Sequence, residues 1–396
     1  MSGMTNEGLR APFIWYGGKR RVATDVWNIF GDVKRYVEPF AGSLGVLLGR
    51  PEPYRGLEIV NDLDGYVVNA WRAMRADPEA VAIYSLEPIT ELDLTAKHLW
   101  LVNEGKSRLH AGLIRDPYWY DAQVAGWWLQ GISCWIGTGF CSGNGPWSHA
   151  AMDAVIGDEE QGVEGQGVSR QLPHLRTEGQ GVNRQLPHLA DRGVYRTFPE
   201  AHAIPNSLEM SNGVSRKLPA IPKSIEMSNG VSRKLHAIPN REGMTNGVNR
   251  HDNLHAYMEA LSARLEKVVI CNGDWSRTVS MSALGARTID PVGVFLDPPY
   301  RDHGDEYATR STGVEEMWQQ IEEWTRSEDA NSAKIRVVLC GYEGDFPMPD
   351  GWSEIAYTAK GTNTANRDRE RFWLNAAATQ NHARFLRSQH ETMELF

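Results

Sequence analysis

Four residues carry the clearest chemistry, Asp297-Pro298-Pro299-Tyr300, directly after the apolar run Val294-Phe295-Leu296. A carboxylate, a rigid Pro-Pro corner and an aromatic ring thus stand where a buried strand should end. That combination suits methylation of an exocyclic amine on a base. The lone pair of such an amine is delocalised into the ring, which makes it a poor nucleophile. A carboxylate and a main-chain carbonyl that both accept from the amine hold its two N–H bonds. They favour a pyramidal nitrogen with its lone pair facing the methyl donor, and they stabilise the charge that develops. The prolines free a carbonyl and fix its direction. The aromatic ring can stack on an extruded base. The plainer alternative is a chance Pro-Pro turn capped by an aspartate.

A second constellation is Tyr36-Val-Glu-Pro-Phe-Ala-Gly-Ser-Leu-Gly45, a strand that breaks into a Gly-rich turn. Small residues there let backbone approach a ligand at the carboxyl end of the strand. Asp62 and Asp64 follow about 20 residues on, where an acid typically accepts from ribose hydroxyls. The spacing points to an adenosine-containing cofactor without separating a dinucleotide from S-adenosylmethionine. Asp62 could instead cap a helix within NDLDGY, and Asp64 more readily so. No HExxH or clustered ligand set implies a metal.

The elements that must position these residues read as an α/β protein. RYVEPFAG, GLEIVNDLD, KVVICNGDW, GVFLDPPY, KIRVVLCGY and RERFWLN are strand candidates. DGYVVNAWRAMRADPEAV reads as one helix. NLHAYMEALSARLEKV is amphipathic, with Leu254, Tyr257, Met258, Leu261 and Leu265 on one face. Strands alternating with helices predict a doubly wound sheet. Residues from about Asp77 to Ala150 are Trp- and Tyr-rich and expected to be helical, with a glycine-rich loop after Ser133.

The chain has 396 residues, 41% hydrophobic and 23% charged, enough for one large domain with an insertion. Four scattered cysteines without a CxxC pair fit a reducing cytoplasm. No run reaches the roughly 18 apolar residues of a membrane span. The first residues lack the apolar core of a signal peptide. Net charge is −9, but it is uneven. Gly-Val-x-Arg occurs six times, beginning at Gly167, Gly181, Gly193, Gly213, Gly230 and Gly247. Between Gly167 and His255 there are 12 Lys and Arg against 7 Asp and Glu, a local +5 that leaves −14 elsewhere. A basic repetitive segment in an acidic protein outlines a polyanion-binding insert; an inert low-complexity insertion is the other reading. Arg170, Arg184, Arg196, Arg216, Arg233 and Arg250 stand one per repeat. They could track phosphates, read guanine edges, or bond carbonyls of the neighbouring repeat.

Five stretches in order carry a resemblance: Pro12-Phe-Ile-Trp-Tyr-Gly-Gly-Lys19, Val37-Glu-Pro-Phe-Ala-Gly-Ser43, Asn61-Asp-Leu-Asp64, Asn272-Gly-Asp-Trp275 and Asp297-Pro-Pro-Tyr300. The chain resembles the Dam-like DNA adenine methyltransferases, which use S-adenosylmethionine, over about 1–75 and 255–375. It is also similar to phage and prophage members with GVNRQLPHL-type repeats. The resemblance implies a Rossmann-like catalytic domain from 1–75 and 255–396, interrupted by a target-recognition region at 76–254. It implies that Tyr16 and Lys19 lie over the cofactor, with Lys19 reaching its carboxylate. Glu38, Pro39, Phe40, Ala41 and Gly42 would form the cofactor loop, Asp62 the ribose ligand, and Asp274 the acceptor for the cofactor's adenine amine. A turn-stabilising role for Asp274 is the simpler alternative. Asp297, Pro298, Pro299 and Tyr300 would be catalytic, and Arg170, Arg184, Arg216, Arg233 and Arg250 would bind double-stranded DNA. Neither metal nor membrane is implied, and no nuclease motif accompanies the set. Two departures stand out. Leu44 replaces a second small residue in the cofactor loop. SCWIGTGFCSGNGPW at 133–147 replaces the usual Asn-Arg and Phe-Asn-Gly segment, so recognition of the family's tetranucleotide does not carry over. Asp297 favours adenine over the N4 amine of cytosine. A non-catalytic DNA-binding protein that kept the fold is the rival from another class.

Overall fold

The apolar runs form one seven-stranded sheet in the order β3-β2-β1-β4-β5-β7-β6. Its strands are β1 (Arg35–Glu38), β2 (Leu57–Asp62), β3 (Val268–Asn272), β4 (Val292–Leu296), β5 (Ile335–Tyr342), β6 (Ser353–Ala356) and β7 (Glu370–Leu374). The structure is a computed structural model, and it describes residues 9–15, 17–54, 56–135, 140–141, 249–286, 288–301, 311–357 and 369–393. These residues belong to one compact unit made of 1–159 and 233–396. Five strands are parallel, from β3 to β5, while β7 runs antiparallel between β5 and β6. This is the expected doubly wound α/β architecture with a mixed edge.

Alternation along the strands divides the core. Tyr36, Val60, Phe295, Val338 and Cys340 join the larger apolar cluster on one face. Val37, Val294, Leu296, Val337 and Leu339 join the second cluster on the other. All five residues of β4 are buried, as a central parallel strand covered on both faces requires. The first face is covered by helices that include α1 (Ala23–Phe30), α2 (Gly65–Ala76), α3 (Pro78–Leu86), α6 (Ala122–Cys134) and α7 (Asn249–Leu265). The helices α4 (Glu91–Trp100) and α5 (Lys106–Arg115) lie between α3 and α6 in the chain. The second cluster takes in α8 (Met281–Leu284) and α9 (Ser311–Thr325), the latter through Val314, Trp318 and Ile321. A last helix, α10 (Ala376–Met393), packs on α1 and β5.

Two elements differ from the sequence reading. The single helix expected from Asp64 onward is two, because Asp77 ends α2 and caps α3, accepting from Ala80 N, with Pro78 at the first helical position. The edge strand β6 was not among the candidates. Leu254, Tyr257, Met258, Leu261 and Leu265 of α7 are all buried, as their spacing predicts.

A buried ion cluster joins strand to helix. Glu58 on β2 accepts from Arg50 Nη1 at 2.8 Å and from Arg264 Nη1 and Nη2 at 2.7 and 2.9 Å. Arg50 also donates to Val33 O, and Arg264 to Leu47 O. Each ion thus has an opposite charge beside it, the condition under which buried ions are tolerated, with one carboxylate serving two guanidiniums. No described helix is long and apolar enough to cross a membrane.

Candidate active site

The parallel register brings four strand ends level. Glu38 pairs with Val60, Val37 with Val294, and Asp62 with Asn272. The chain leaves β1 for β2 and β3 on one side and returns for β4 and β5 on the other. The crevice at this reversal is where open α/β sheets bind ligands. It is a cavity of about 870 Å³. Lys19, Glu38, Pro39, Phe40, Ala41, Gly42, Asp62, Asp274, Asp297 and Pro299 all line it. Pro298 and Tyr300 are not in its lining. Tyr16 lies outside the described residues, as do Arg170, Arg184, Arg196, Arg216 and Arg233. Arg250 is in the first turn of α7, its side chain outside the described atoms.

The loop after β1 is shaped for close backbone approach. Gly42 has φ +43°, and a Cβ there would stand 2.4 Å from the Trp15 indole nitrogen. Its carbonyl accepts from Trp71 Nε1 and its amide donates to Asp62 Oδ2 at 2.8 Å. Leu44, the residue that departs from the family pattern, is fully buried at φ +53°. A bulky residue in the left-handed region is strained, so packing holds this turn. Asn61 Nδ2 donates to Pro39 O and Gly273 O, and Asn272 Nδ2 to Asp62 O. These asparagines stitch the three loops together, a role that residue type alone did not reveal.

Asp62 accepts from Gly42 N and Asp64 N, one bond on each oxygen. Burial, with the nearby Asp64 charge, pushes it up to about 7. Asp64 caps α2 by accepting from Tyr66 N. Asp274 caps the short turn Trp275–Thr278. Its Oδ1 accepts from both the amide and the hydroxyl of Ser276, while Oδ2 has no partner among the described residues. The capping role and a free acceptor therefore coexist. Phe40 and Trp275 stack with centroids 5.9 Å apart beside it. Glu38 is buried and accepts from Tyr36 OH at 3.0 Å; burial raises it to about 8.

At the end of β4, Lys19 Nζ stands 2.9 Å from Asp297 Oδ1 and donates to Gly17 O at 2.8 Å. It also lies 4.9 Å from the centre of the Tyr300 ring. Lys19 thus grips the catalytic candidate itself. Burial works against its charge, but Asp297 and Tyr300 outweigh it and hold the ammonium well above the usual range. Burial pushes Asp297 up, and Lys19 pulls part of that back. Tyr300 sets its ring edge-on against Tyr342, centroids 4.5 Å apart. Pro299 O accepts from Trp318 Nε1 at 2.9 Å.

The remaining wall is aromatic and apolar. Trp15, Trp128, Ile132, Trp135 and Phe140 line it together with Leu109 and Leu113 of α5. Part of the segment that departs from the family, Trp135, Phe140 and Cys141, therefore faces the cavity. Neither Cys134 nor Cys141 is in a disulfide. Among the described residues, no group of three or more His, Cys, Asp or Glu could hold a metal ion.

Residues 15–98 match the family model of the D12 class N6 adenine-specific DNA methyltransferases. No curated protein matches the chain. The match takes in Lys19, the Glu38–Gly42 loop and Asp62, while Asn272–Trp275 and Asp297 of the same cavity lie outside it. Over residues 15–98 the chain is similar to the D12 class of N6 adenine-specific DNA methyltransferases, and its mixed α/β sheet is consistent with that likeness.

Proposed function

We propose that the cavity takes S-adenosylmethionine and an adenine flipped out of duplex DNA, with Asp297 orienting the reacting amine. The observation that carries this reading is the convergence of Gly42, Asp62, Asp274 and Asp297 on one cavity at the sheet's reversal point. The residues fit such a cofactor. Gly42 turns the chain at φ +43° on the cavity wall, Asp62 keeps a lone pair on each oxygen for ribose hydroxyls, and Asp274 Oδ2 is available for an adenine amine. When bound, the cofactor supplies an electrophilic methyl on a sulfonium, whose departure as a neutral thioether needs no metal.

Asp297 and the Pro298 carbonyl accept the two N–H bonds of the adenine amine. Lys19 occupies the same carboxylate oxygen, so the amine replaces one N–H donor by another. Released, Lys19 would be available to hold the cofactor's carboxylate, the role the family resemblance implies. Its departure leaves Asp297 negative where positive charge builds on the attacking nitrogen. It also uncovers the Tyr300 ring for stacking. With the cofactor bound, methylation would leave a surplus proton on the amine, and Asp297, which accepts from that N–H, would pass it to solvent. Residues 76–254 supply target recognition, with Arg170, Arg184, Arg216, Arg233 and Arg250 on the DNA backbone.

The test uses labelled cofactor and duplex DNA. Asp297→Ala should lower transfer by about 10²- to 10³-fold, the scale of losing one transition-state acceptor. Transfer at the wild-type rate would remove Asp297 from the mechanism. Digestion of the product and mass spectrometry should show N6-methyladenine; N4-methylcytosine would overturn the assignment of the base.

A further inference from the structure

We infer that Trp318 is a positioning residue for methyl transfer, acting through the Pro298-Pro299 corner. The inference rests on the reading of Asp297–Tyr300 as the amine-orienting site. Two consecutive prolines have no N–H to donate, so the corner cannot anchor itself to neighbouring backbone through its own amides. β4 pairs with β5 only as far as Leu296 and Leu339. Beyond that point the main chain is held through Pro299 O, which accepts from Trp318 Nε1 at 2.9 Å.

This bond has two consequences. It fixes the plane of the Pro299 carbonyl and with it the orientation of the preceding peptide, whose carbonyl is the one assigned to the amine. It also engages Pro299 O, the neighbouring carbonyl on a residue that lines the cavity, so that oxygen is already satisfied and does not compete for the amine. Trp318 is suited to the task because it is itself immobile. It is fully buried, and a side chain at Gly341 on β5 would press on its ring. The Arg301 guanidinium lies 5.2 Å over that ring, and Arg301 pairs with Glu322 of the same helix at 2.6 Å. The residue after the tetrapeptide is therefore tied to α9 as well. Six residues further along α9, Trp324 Nε1 donates to Val279 O at 3.2 Å, and its ring meets Trp275 edge-on. The same helix thus grips both the catalytic corner and the wall that carries Asp274.

The experiment compares Trp318→Phe with replacement of Trp318 by 3-benzothienylalanine, which puts sulfur in place of the N–H and keeps the ring's shape. Site-specific 5-fluorotryptophan, which keeps the N–H, is the control. Both N–H-deficient variants should lose on the order of 10- to 100-fold in kcat. Cofactor affinity by calorimetry and KM for DNA should stay within about twofold, and the fluorinated control should match wild type. A folded benzothienyl variant with wild-type kcat would overturn the inference. So would a parallel fall in cofactor affinity and rate, or failure of both variants to fold, since each assigns Trp318 to packing alone. Asp297→Ala measured in parallel separates the two layers. If that variant is inactive while the benzothienyl variant is normal, only the role of Trp318 falls; if it is fully active, the underlying reading falls.

Discussion

Asp62 gives the cofactor site a pH signature. Its folded, ligand-free pKa is raised to about 7 from an unfolded value near 3.9. The folded state then binds the proton more tightly than the unfolded state, so stability from this group is present at low pH. It is lost as pH rises through 7. Glu38, raised to about 8, extends the loss to higher pH. Ligand-free protein should therefore melt lower at pH 8 than at pH 5, and Glu38→Gln should flatten the upper part of that slope in a thermal melt. In the proposed complex, ribose hydroxyls would donate to the ionised carboxylate. Cofactor affinity should accordingly rise about tenfold from pH 6 to pH 8 by calorimetry, in proportion to the ionised fraction. A pH-independent affinity in the wild type would contradict this, and Asp62→Asn should abolish the slope. Gly42→Ala places a methyl against the Trp15 indole at positive φ, and it should weaken cofactor binding and lower Tm together.

At the scale of elements, Glu58 has the largest expected effect. Glu58→Ala leaves two buried guanidinium groups without their carboxylate, and denaturant unfolding should show a loss of about 3–5 kcal/mol. Methyl transfer per folded molecule should be unchanged, because the cluster does not line the cavity. The sequence made the inner strands legible because burial on both faces writes a continuous apolar run, as in Val292–Leu296. It did not reveal β6, whose four residues alternate between half-buried and exposed and carry little apolar signal. The break at Asp77-Pro78 was written in the sequence as a cap and a first-turn proline, but the apolar spacing ran through it. The acids of the site were readable because they end strands. The grip of Lys19 on Asp297 and of Trp318 on Pro299 was not, since each joins distant positions through a geometry that only the folded sheet creates.

For the whole molecule, the decisive quantity is where charge sits. The −9 total combines a +5 segment at 167–255 with −14 elsewhere. Each phosphate contact contributes about −0.9 to the slope of log affinity against log salt. Replacing Arg216 and Arg233 by Ala should weaken DNA binding and flatten that slope by about 1.8; unchanged affinity with a lower Tm would instead make these arginines structural. The Glu58–Arg264 bond bears on the same segment in another way. It clamps the chain before the repeats to the chain after them, so the bonded ends close a stretch of sequence that contains every copy. The entropic cost of closing a loop grows only with the logarithm of its length. Gain or loss of one 17-residue copy then alters stability by about 0.1 kcal/mol. Deleting Gly213–Asn229 should leave Tm within about a degree of wild type. In closure entropy, copy number weighs almost nothing on folding, and the repeat array can lengthen or shorten by recombination while the Glu58–Arg264 clamp holds the sheet together.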